Sequence, residues 1–357
     1  MKTQQNRPRT TLNAKWFYDK MVAADWKDMT GKEGTQMEET KQVIATGVQD
    51  FENLRMNDSF YVDKTDFIRE WWNSRDAVTL ITRPRRFGKT LNMSMLNCFF
   101  SNQYANRGEL FDGLKVWKHP DMREQQGKWP VIFLTFADIK HTCFQDTRTK
   151  IHLMLVGLYN QYHWLLNERI FTETDREFYR SVRKDMDDAT ASGAIARLCE
   201  WLCRFYGKKV LIFLDEYDTP LQEAYIYGYW NEMAHYIRSL FNSTFKTNPC
   251  LERAVMTGIT RVSKESIFSD LNNLVVITTT SNQYATSFGF TEAEVFASLD
   301  QQGFGEEDKL KVKSWYDGFT FGSVSDIYNP WSVTNFLNTG EYRTWWANTS
   351  GNCPATN

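Results

Sequence analysis

The residues best suited to chemistry in this sequence stand at 81–90, where the chain reads ITRPRRFGKT. Gly88, Lys89 and Thr90 match the end of the phosphate-binding loop G-x-x-x-x-G-K-[ST]. In such a loop the glycine lets the backbone approach a phosphate, the lysine reaches the β- and γ-phosphates, and the threonine hydroxyl binds Mg²⁺. Arg83 stands where the pattern has its first glycine. The segment therefore predicts either a nucleotide site with a substituted glycine or a basic surface segment.

The front of this loop is basic instead of glycine-rich. Arg83 is followed by Pro84, whose ring presets φ and can start the turn in another way than glycine does. Arg85 and Arg86 add positive charge beside the expected triphosphate. The residues that we predict to bind the nucleotide are Arg85, Arg86, Phe87, Gly88, Lys89, Thr90, Leu91 and Thr257.

A second group of candidates lies about 125 residues further on, at the end of an apolar run. Leu211–Leu214 leads into Asp215 and Glu216. Acidic residues at a strand end of this kind hold Mg²⁺ through the first carboxylate and polarise the attacking water through the second. The alternative is a buried strand that ends in a solvated acidic turn. Because the basic loop precedes it in the expected order, we favour Thr90 and Asp215 as metal ligands, and Glu216 and Lys89 as catalytic residues.

A third candidate segment reads VMTGITRVS at 255–263. Thr257 or Thr260 would sense the γ-phosphate from the end of the next strand, and Arg261 would act as a positively charged sensor with a catalytic role. The alternative is a capped strand-to-loop turn that is followed by a surface arginine.

Three weaker candidates each have a plainer interpretation. Asp63 and Lys64 would form an edge that faces the base or ribose, but a helix start with Asp63 near the cap is favoured. Asp138 follows a strand on the side that faces the ligand crevice in parallel sheets. Cys199 and Cys203 stand four apart on a predicted helix, where core packing is favoured over a metal pair because no further ligand completes the set.

Strands that alternate with helices must position these residues. Apolar runs predict strands at 77–82, before the acidic pair, before Thr257, and in WPVIFLTFADI; LVVIT at 274–278 is a fifth. Helices are predicted between them, including Ile151–Ile170 and Asp175–Met186. This alternation predicts an α/β fold with a mainly parallel sheet. From Thr291 the pattern changes to three helical segments, the first opened by a capping box of Thr291 and Glu294.

The composition narrows the class of protein. The chain has 357 residues, 42% of them hydrophobic, which is ample for a packed interior and suggests more than one domain. The net charge of −2 argues against a nucleic-acid footprint over the whole chain. No apolar run of about 18 residues predicts a membrane span, and the first 30 residues lack the apolar segment of a secretory signal. The six cysteines include no C-x-x-C pair, so we expect a reduced, cytoplasmic protein.

Long motifs carry a resemblance to a known family. They are DFENLR, YVDKTDFI, LITRPRRFGKTLNMSML, FLDEYDTPL, TGITRVSKESIFSDLNNL and SWYDGFTFG…YNPWSV, which span roughly residues 47–340. In these the chain resembles the AAA-ATPase-like family of bacterial P-loop proteins. The resemblance implies that RPRRFGKT is the family's own form of the phosphate loop, and that the cofactors are ATP and Mg²⁺.

The resemblance also implies roles and an architecture. The family is similar to additional-strand P-loop ATPases, in which another strand separates the acidic strand from the loop strand. Lys89 and Thr90 carry over as phosphate and Mg²⁺ ligands, Asp215 as the Mg²⁺ residue, Glu216 as the water-activating base and Arg261 as the sensor. A small helical lid follows, in which Tyr316 and Trp331 are expected to serve in packing. The predicted parts are a flexible extension at 1–42, an ATPase core at 43–290, the lid at 291–340 and a tail at 341–357.

The chain departs from the family pattern at its end. Members commonly continue into a domain that resembles a PD-(D/E)XK nuclease, which needs about 100 further residues. No D…E-x-K constellation follows a strand in the last 60 residues. We therefore expect a truncated chain or a short member, and we do not carry nuclease activity over from the family.

The sequence thus predicts a domain that binds and hydrolyses ATP and acts as a nucleotide-dependent switch for an unidentified protein partner. ATP is favoured over GTP because no NKxD-like guanine-reading tetrapeptide follows the fourth strand. Two alternatives stay open: a scaffold that binds nucleotide without hydrolysis, and an ATPase associated with nucleic acid.

Overall fold

The computed structural model describes residues 42–260, 267–268 and 270–346 of the chain. The predicted N-terminal extension, except for residue 42, lies outside this part, as do Arg261 and the predicted tail beyond residue 346. Within the described ranges, no helix is both long enough and apolar enough to cross a membrane.

The centre of the fold is a five-stranded sheet in which all neighbouring strands are parallel. Its strands are β1 (Val78–Thr82), β2 (Val131–Thr135), β3 (Val210–Asp215), β4 (Leu251–Gly258) and β5 (Leu274–Ile277). Their spatial order is β2-β3-β4-β1-β5. Strand β4 therefore separates β1, which leads into the basic loop, from β3, which ends in Asp215. The predicted α/β fold is confirmed, and the strand order is the one that the resemblance implied.

The strands are continuous apolar runs because both faces of the sheet are covered. Every residue of β1 and β3 is buried. Along β3, Ile212 and Leu214 contribute to the hydrophobic core on one face, whereas Leu211 and Phe213 contribute to the core on the other. Since parallel strands end at the same edge of a sheet, the residues that follow β1, β3 and β4 come together there.

Helices flank the sheet and connect its strands. They are α1 (Phe51–Met56), α2 (Asp66–Ser74), α3 (Lys89–Phe100), α4 (Pro120–Arg123), α5 (Phe144–Gln161), α6 (Glu173–Ser181), α7 (Asp188–Tyr206), α8 (Thr219–Tyr227) and α9 (Trp230–Phe241). Single turns of 3₁₀-helix lie at Asn102–Tyr104, Gly108–Phe111, Lys115–Lys118 and His163–Asn167, and a π-helical turn at Asn242–Lys246.

Two of the predicted helices end earlier than their apolar pattern indicated. The helix expected at Ile151–Ile170 ends at Gln161 and gives way to the 3₁₀ turn. The helix expected to reach Met186 ends at Ser181, because the next residue, Val182, has an extended backbone. A hydrophobic period continues through such a break when the following turn packs on the same core, so it does not mark the end of a helix.

The cysteine pair predicted to pack in the core is on α7. Cys199 is completely buried in the larger core, where burial raises the pKa of its thiol to about 12. Cys203 is partly buried, and neither forms a disulfide. A protonated, enclosed thiol suits core packing and is a poor metal ligand.

Residues 290–346, the C-terminal module, pack around a separate hydrophobic cluster, to which Phe60 from outside the module also contributes. The module contains β6 (Phe290–Thr291), α10 (Glu292–Gln301), α11 (Glu306–Tyr316), β7 (Phe319–Phe321), β8 (Val324–Tyr328) and α12 (Pro330–Thr339). The capping box is present: Thr291 N donates to Glu294 Oε2 at 2.8 Å, and Glu294 N donates to Thr291 Oγ1 at 3.4 Å. The antiparallel sheet β6-β8-β7 was not predicted, because its strands are too short for alternation to be visible.

Candidate functional site

The basic loop forms a tight turn between β1 and α3. Gly88 directly precedes α3 with φ of 77°, and Arg86 has φ of 69°. Both values are left-handed, a region that glycine occupies freely and that costs other residues free energy. Such a turn brings backbone N–H groups and the positive end of α3 to the carboxyl edge of the sheet. The geometry can accept an anionic group there.

Lys89 is buried at the first position of α3, with 6% of its surface exposed. Its ammonium donates to Arg83 O at 3.0 Å and to Pro84 O at 2.9 Å, so it lies under the loop. Burial lowers the pKa of Lys89, and the carboxylates of Asp215 and Glu216 act in the opposite direction. A partly desolvated cation of this kind binds strongly to an anion that replaces its lost hydration.

Two hydroxyl groups converge on the carboxylate of Asp215. Thr90 Oγ1 donates to Asp215 Oδ2 at 2.7 Å, and Thr257 Oγ1 donates to Asp215 Oδ1. Asp215 is 1% exposed and ends β3, Thr90 lies on α3, and Thr257 lies near the end of β4. Three separate elements therefore hold one oxygen-rich cluster, which is the ligand type that hard cations prefer.

Glu216 follows Asp215 with φ of 51°, a left-handed conformation that turns its side chain away from the β3 direction. Its backbone N–H donates to Thr257 Oγ1 at 3.4 Å, and its Oε2 accepts a 3.2 Å bond from Thr219 Oγ1. Glu216 lines the same cavity as Lys89 and Thr90. Strained backbone of this type is found at sites where a side chain must be held in one direction.

Arg83, which stands in the glycine position, points away from the site. Its side chain is completely buried, and its guanidinium donates to Thr82 O at 3.0 Å and Tyr284 O at 3.2 Å. It also lies 4.8 Å from the centre of the Phe321 ring. Burial lowers its pKa to about 10. Arg83 thus joins the sheet edge to a distant segment and leaves the cavity side of the loop to other residues.

The remaining loop residues divide between the cavity and the C-terminal module. Phe87 is completely buried, with its ring 4.8 Å from Phe319 and 5.3 Å from Phe321, so its side chain serves in packing. Arg86 lies over the ring of Trp331 at 4.4 Å, and Arg85 is exposed. Arg85, Arg86, Phe87 and Leu91 all line the cavity.

The cavity has a volume of about 620 Å³ and extends well beyond the loop. Its other walls include Ala45, residues 47–49, residues 60–62, Lys140 and the start of α12. The sequence analysis did not assign these. Asp138 was a candidate because residues that follow the carboxyl end of a strand face the ligand crevice. Lys140 also follows that strand, so the same rule could have found it. Asp138 instead pairs with Lys150 at 2.8 Å, which lowers its pKa.

The other weak candidates now have defined contacts. Asp63 Oδ1 accepts from Thr65 N at 2.9 Å beside the start of α2, the capping interpretation. Lys64 lines the cavity but pairs with Glu294 at 2.6 Å. Thr260 is held by Asp218 Oδ2, which accepts from its N–H at 2.8 Å and its hydroxyl at 2.7 Å. Thr260 therefore takes part in a turn at the strand end.

Packing also explains Tyr316. It is buried in the C-terminal module, and its hydroxyl donates to Arg343 O at 3.0 Å. Trp331, which was expected to pack in the same way, lies against Arg86 and also borders the cavity.

Comparison with known proteins gives two results. A family described as Predicted AAA-ATPase matches residues 45–268, which include both the basic loop and the acidic strand end. The chain is also 27% identical over 314 residues to an "Uncharacterized protein in vnfD 5'region" of Azotobacter chroococcum mcd 1. That alignment covers 87% of this chain and 54% of the relative, so the chain spans about half the relative's length.

Proposed function

The chain belongs to the predicted AAA-ATPase family, and we propose that it binds Mg-ATP in the cavity at the carboxyl edge of its sheet, hydrolyses it, and uses the cycle as a switch for a protein partner. One observation carries the proposal: Lys89, Thr90 and Glu216, from two segments far apart in sequence, line one cavity beside a helix N-terminus, and Thr90 is bonded there to the buried Asp215. The alternative, an acidic turn that is merely solvated, does not explain why a buried lysine lies beside it.

Phosphate binding would fall to the loop and Lys89. The backbone N–H groups of the turn and the N-terminus of α3 offer fixed donors, and the lysine adds a full charge. In this proposal the ammonium exchanges its present acceptors, the carbonyls of Arg83 and Pro84, for phosphate oxygens. That exchange replaces neutral acceptors by charged ones, and charge-assisted hydrogen bonds are the stronger kind.

The donor set of Thr90 and Asp215 fits Mg²⁺. The Thr90 hydroxyl oxygen, whose residue lines the cavity, lies 2.7 Å from one carboxylate oxygen of Asp215, and Mg²⁺ in nucleotide sites takes few protein oxygens alongside phosphate and water. When bound, the ion would neutralise charge on the β- and γ-phosphates. Thr257 would keep Asp215 oriented, since its hydroxyl occupies the second carboxylate oxygen.

Glu216 is the residue that we assign to the water. Among the residues that the structure describes, its carboxylate accepts one bond, from Thr219 at 3.2 Å, and it lies at the cavity wall, so it has lone pairs with which to orient a nucleophile. The exposed Arg85 and Lys140 line the same cavity and would stabilise the charge that develops on the phosphoryl group. The apolar walls formed by residues 47–48 and 60–62 would receive the base.

The test compares Mg-ATP binding and phosphate release by the wild type, Lys89→Ala and Glu216→Gln. Lys246→Ala, an exposed lysine on the π-helical turn, serves as the matched control and should behave as wild type. We expect Lys89→Ala to lose binding, and Glu216→Gln to bind while its turnover falls by about 10²–10⁴-fold. Binding without turnover by the wild type would favour the scaffold. Absence of binding by the wild type would refute the proposal.

A further inference from the structure

Trp331 borders the nucleotide cavity although it lies more than sixty residues beyond the segment that the family matches. It is the second residue of α12, and its position is fixed by Asn329. The Asn329 Oδ1 atom accepts from Trp331 N at 2.9 Å and from Ser332 N at 3.4 Å, which caps the helix. The indole is therefore presented to the cavity by a rigid element of the C-terminal module.

The indole is paired with a cation of the phosphate loop. The guanidinium carbon of Arg86 lies 4.4 Å from the Trp331 ring centre, within the range of a cation–π contact, and tryptophan is the strongest partner for such a contact. Both residues line the cavity. The contact therefore fixes the direction of a positive charge at the wall of the site.

Three other features of Arg86 are unfavourable for the protein without a ligand. Its backbone is left-handed, and its Nη1 is buried without a hydrogen-bond partner among the described residues. Arg85 is the preceding residue, so two cations are adjacent in the chain, and the charge of Arg85 helps to lower the pKa of Arg86, after the larger effect of burial. Each feature costs free energy, and an anionic acceptor at the cavity would relieve the last two. When no anion is bound, the contact with the Trp331 ring holds the Arg86 guanidinium at the cavity wall.

The C-terminal module is firmly docked on this loop. Phe87 packs on Phe319 and Phe321, and Arg83 also lies against Phe321. The Arg86–Trp331 contact is thus one part of a larger interface between the loop and the C-terminal module. Because loop and module are joined at three positions, Trp331 can hold Arg86 in one place relative to the phosphate loop.

We propose that Trp331 is a positioning residue of the phosphate site: it holds the Arg86 guanidinium for the phosphate chain, so the C-terminal module completes a site that the family-matched segment alone leaves open. This inference rests on the proposed function. It assigns the ligand chemistry at this wall to phosphate oxygens, not to the base, and it gives the module a direct part in nucleotide affinity.

The test is a double-mutant cycle of Arg86→Met and Trp331→Leu, with affinities for Mg-ATP and for inorganic tripolyphosphate measured by calorimetry. With Arg86 unchanged, we expect Trp331→Leu to weaken the affinity for both ligands by the same factor, about threefold to tenfold. In the Arg86→Met background it should weaken neither. Trp331→Phe, which retains a weaker aromatic face, should lose less than Trp331→Leu and keeps the test valid if the leucine variant unfolds.

Trp315→Leu is the matched control, because Trp315 is an exposed tryptophan of the same module that does not line the cavity. Equal losses from Trp331→Leu with and without Arg86 would show a structural role and overturn the inference. A loss for ATP without a loss for tripolyphosphate would move Trp331 to the base and also overturn it. If the wild type binds neither ligand, both the proposed function and this inference fail. If Lys89→Ala abolishes binding but neither Arg86→Met nor Trp331→Leu weakens it, the proposed function stands and this inference alone fails.

Discussion

The hydroxyl of Thr90 donates a 2.7 Å hydrogen bond to Asp215, a residue 125 positions later in the chain. Thr90 lies on the first turn of α3, and Asp215 is the last residue of β3, which is separated from the loop strand by β4. The bond therefore joins residues that follow or end two strands which are not neighbours in the sheet. It brings the two oxygen groups of the proposed metal site into contact before any ligand arrives, so little rearrangement is needed to bind one.

The first prediction concerns the hydroxyl of Thr90. Thr90→Val keeps the shape of the side chain but removes its oxygen, and we expect Mg-ATP affinity to fall at least about tenfold because a bond in a charged cluster is lost. Thr90→Ser should retain most of the affinity. Titration with and without Mg²⁺ checks the assignment. If Thr90→Val weakens binding equally in EDTA, the hydroxyl has no role in holding the metal.

The second prediction concerns pH and Lys89. Burial lowers the pKa of its ammonium below the ordinary 10.5, and only the protonated form attracts phosphate. ATP affinity should thus be full at neutral pH and should fall as the pH rises through the lowered pKa. In the same window binding should take up protons, because a bound phosphate raises that pKa again.

Calorimetry in buffers of different ionisation enthalpy, from neutral pH up to the ordinary lysine pKa of 10.5, measures this uptake. Circular dichroism at each pH controls for unfolding. Lys89→Arg provides the comparison: whatever affinity it retains should vary less over this range, since arginine stays protonated. A constant affinity for the wild type across the range would contradict the assignment of Lys89.

The third prediction tests the close approach at the end of β4. A Cβ atom at Gly258 would lie 2.6 Å from the ring of Tyr217 and 2.7 Å from Asp218 Oδ1. Both neighbours are buried, so Gly258→Ala should lower the free energy of unfolding by about 1–3 kcal/mol. Gly157→Ala is the control, because Gly157 meets nothing within 4 Å and lies in α5. It should stabilise by about 1 kcal/mol in urea unfolding.

The fourth prediction concerns the ion pair between the core and the C-terminal module. Lys64 is 8% exposed and binds Glu294 at 2.6 Å; burial lowers the lysine pKa, and Glu294 opposes that shift. Glu294→Gln can preserve the capping box but leaves a buried charge uncompensated, so we expect a loss of about 3 kcal/mol.

The double variant Lys64→Met/Glu294→Gln should be more stable than Glu294→Gln alone, since the charge is then removed. The exposed pair of Lys311 and Glu307 provides the control, and Glu307→Gln should change stability by less than about 1 kcal/mol. Urea unfolding measures all four proteins. A double variant less stable than the single one would show that Lys64 matters through its packing and not through its charge.

The sequence by itself determined the parts that depend on local pattern. A short apolar run before Gly88-Lys89-Thr90 and another before Asp215 indicate buried parallel strands, because such strands are covered on both faces. The capping box of Thr291 and Glu294 could also be predicted, since its bonds join residues three apart. Helix ends at Gln161 and Ser181 were missed for the converse reason: the apolar period continues into the following turn.

The tertiary structure decided which side each loop residue faces. In the sequence, Arg83, Arg86 and Phe87 are all equally plausible as residues that face the ligand. In the structure, Arg83 donates a hydrogen bond to the carbonyl of Tyr284, 201 residues away, and Arg86 lies over the ring of Trp331. Such contacts bring together residues that no local period relates, so their sequence spacing carries no signal. The Arg83 bond depends on how residue 284 packs beside the sheet, and the Arg86 contact depends on the C-terminal module; both form only when the whole chain has folded.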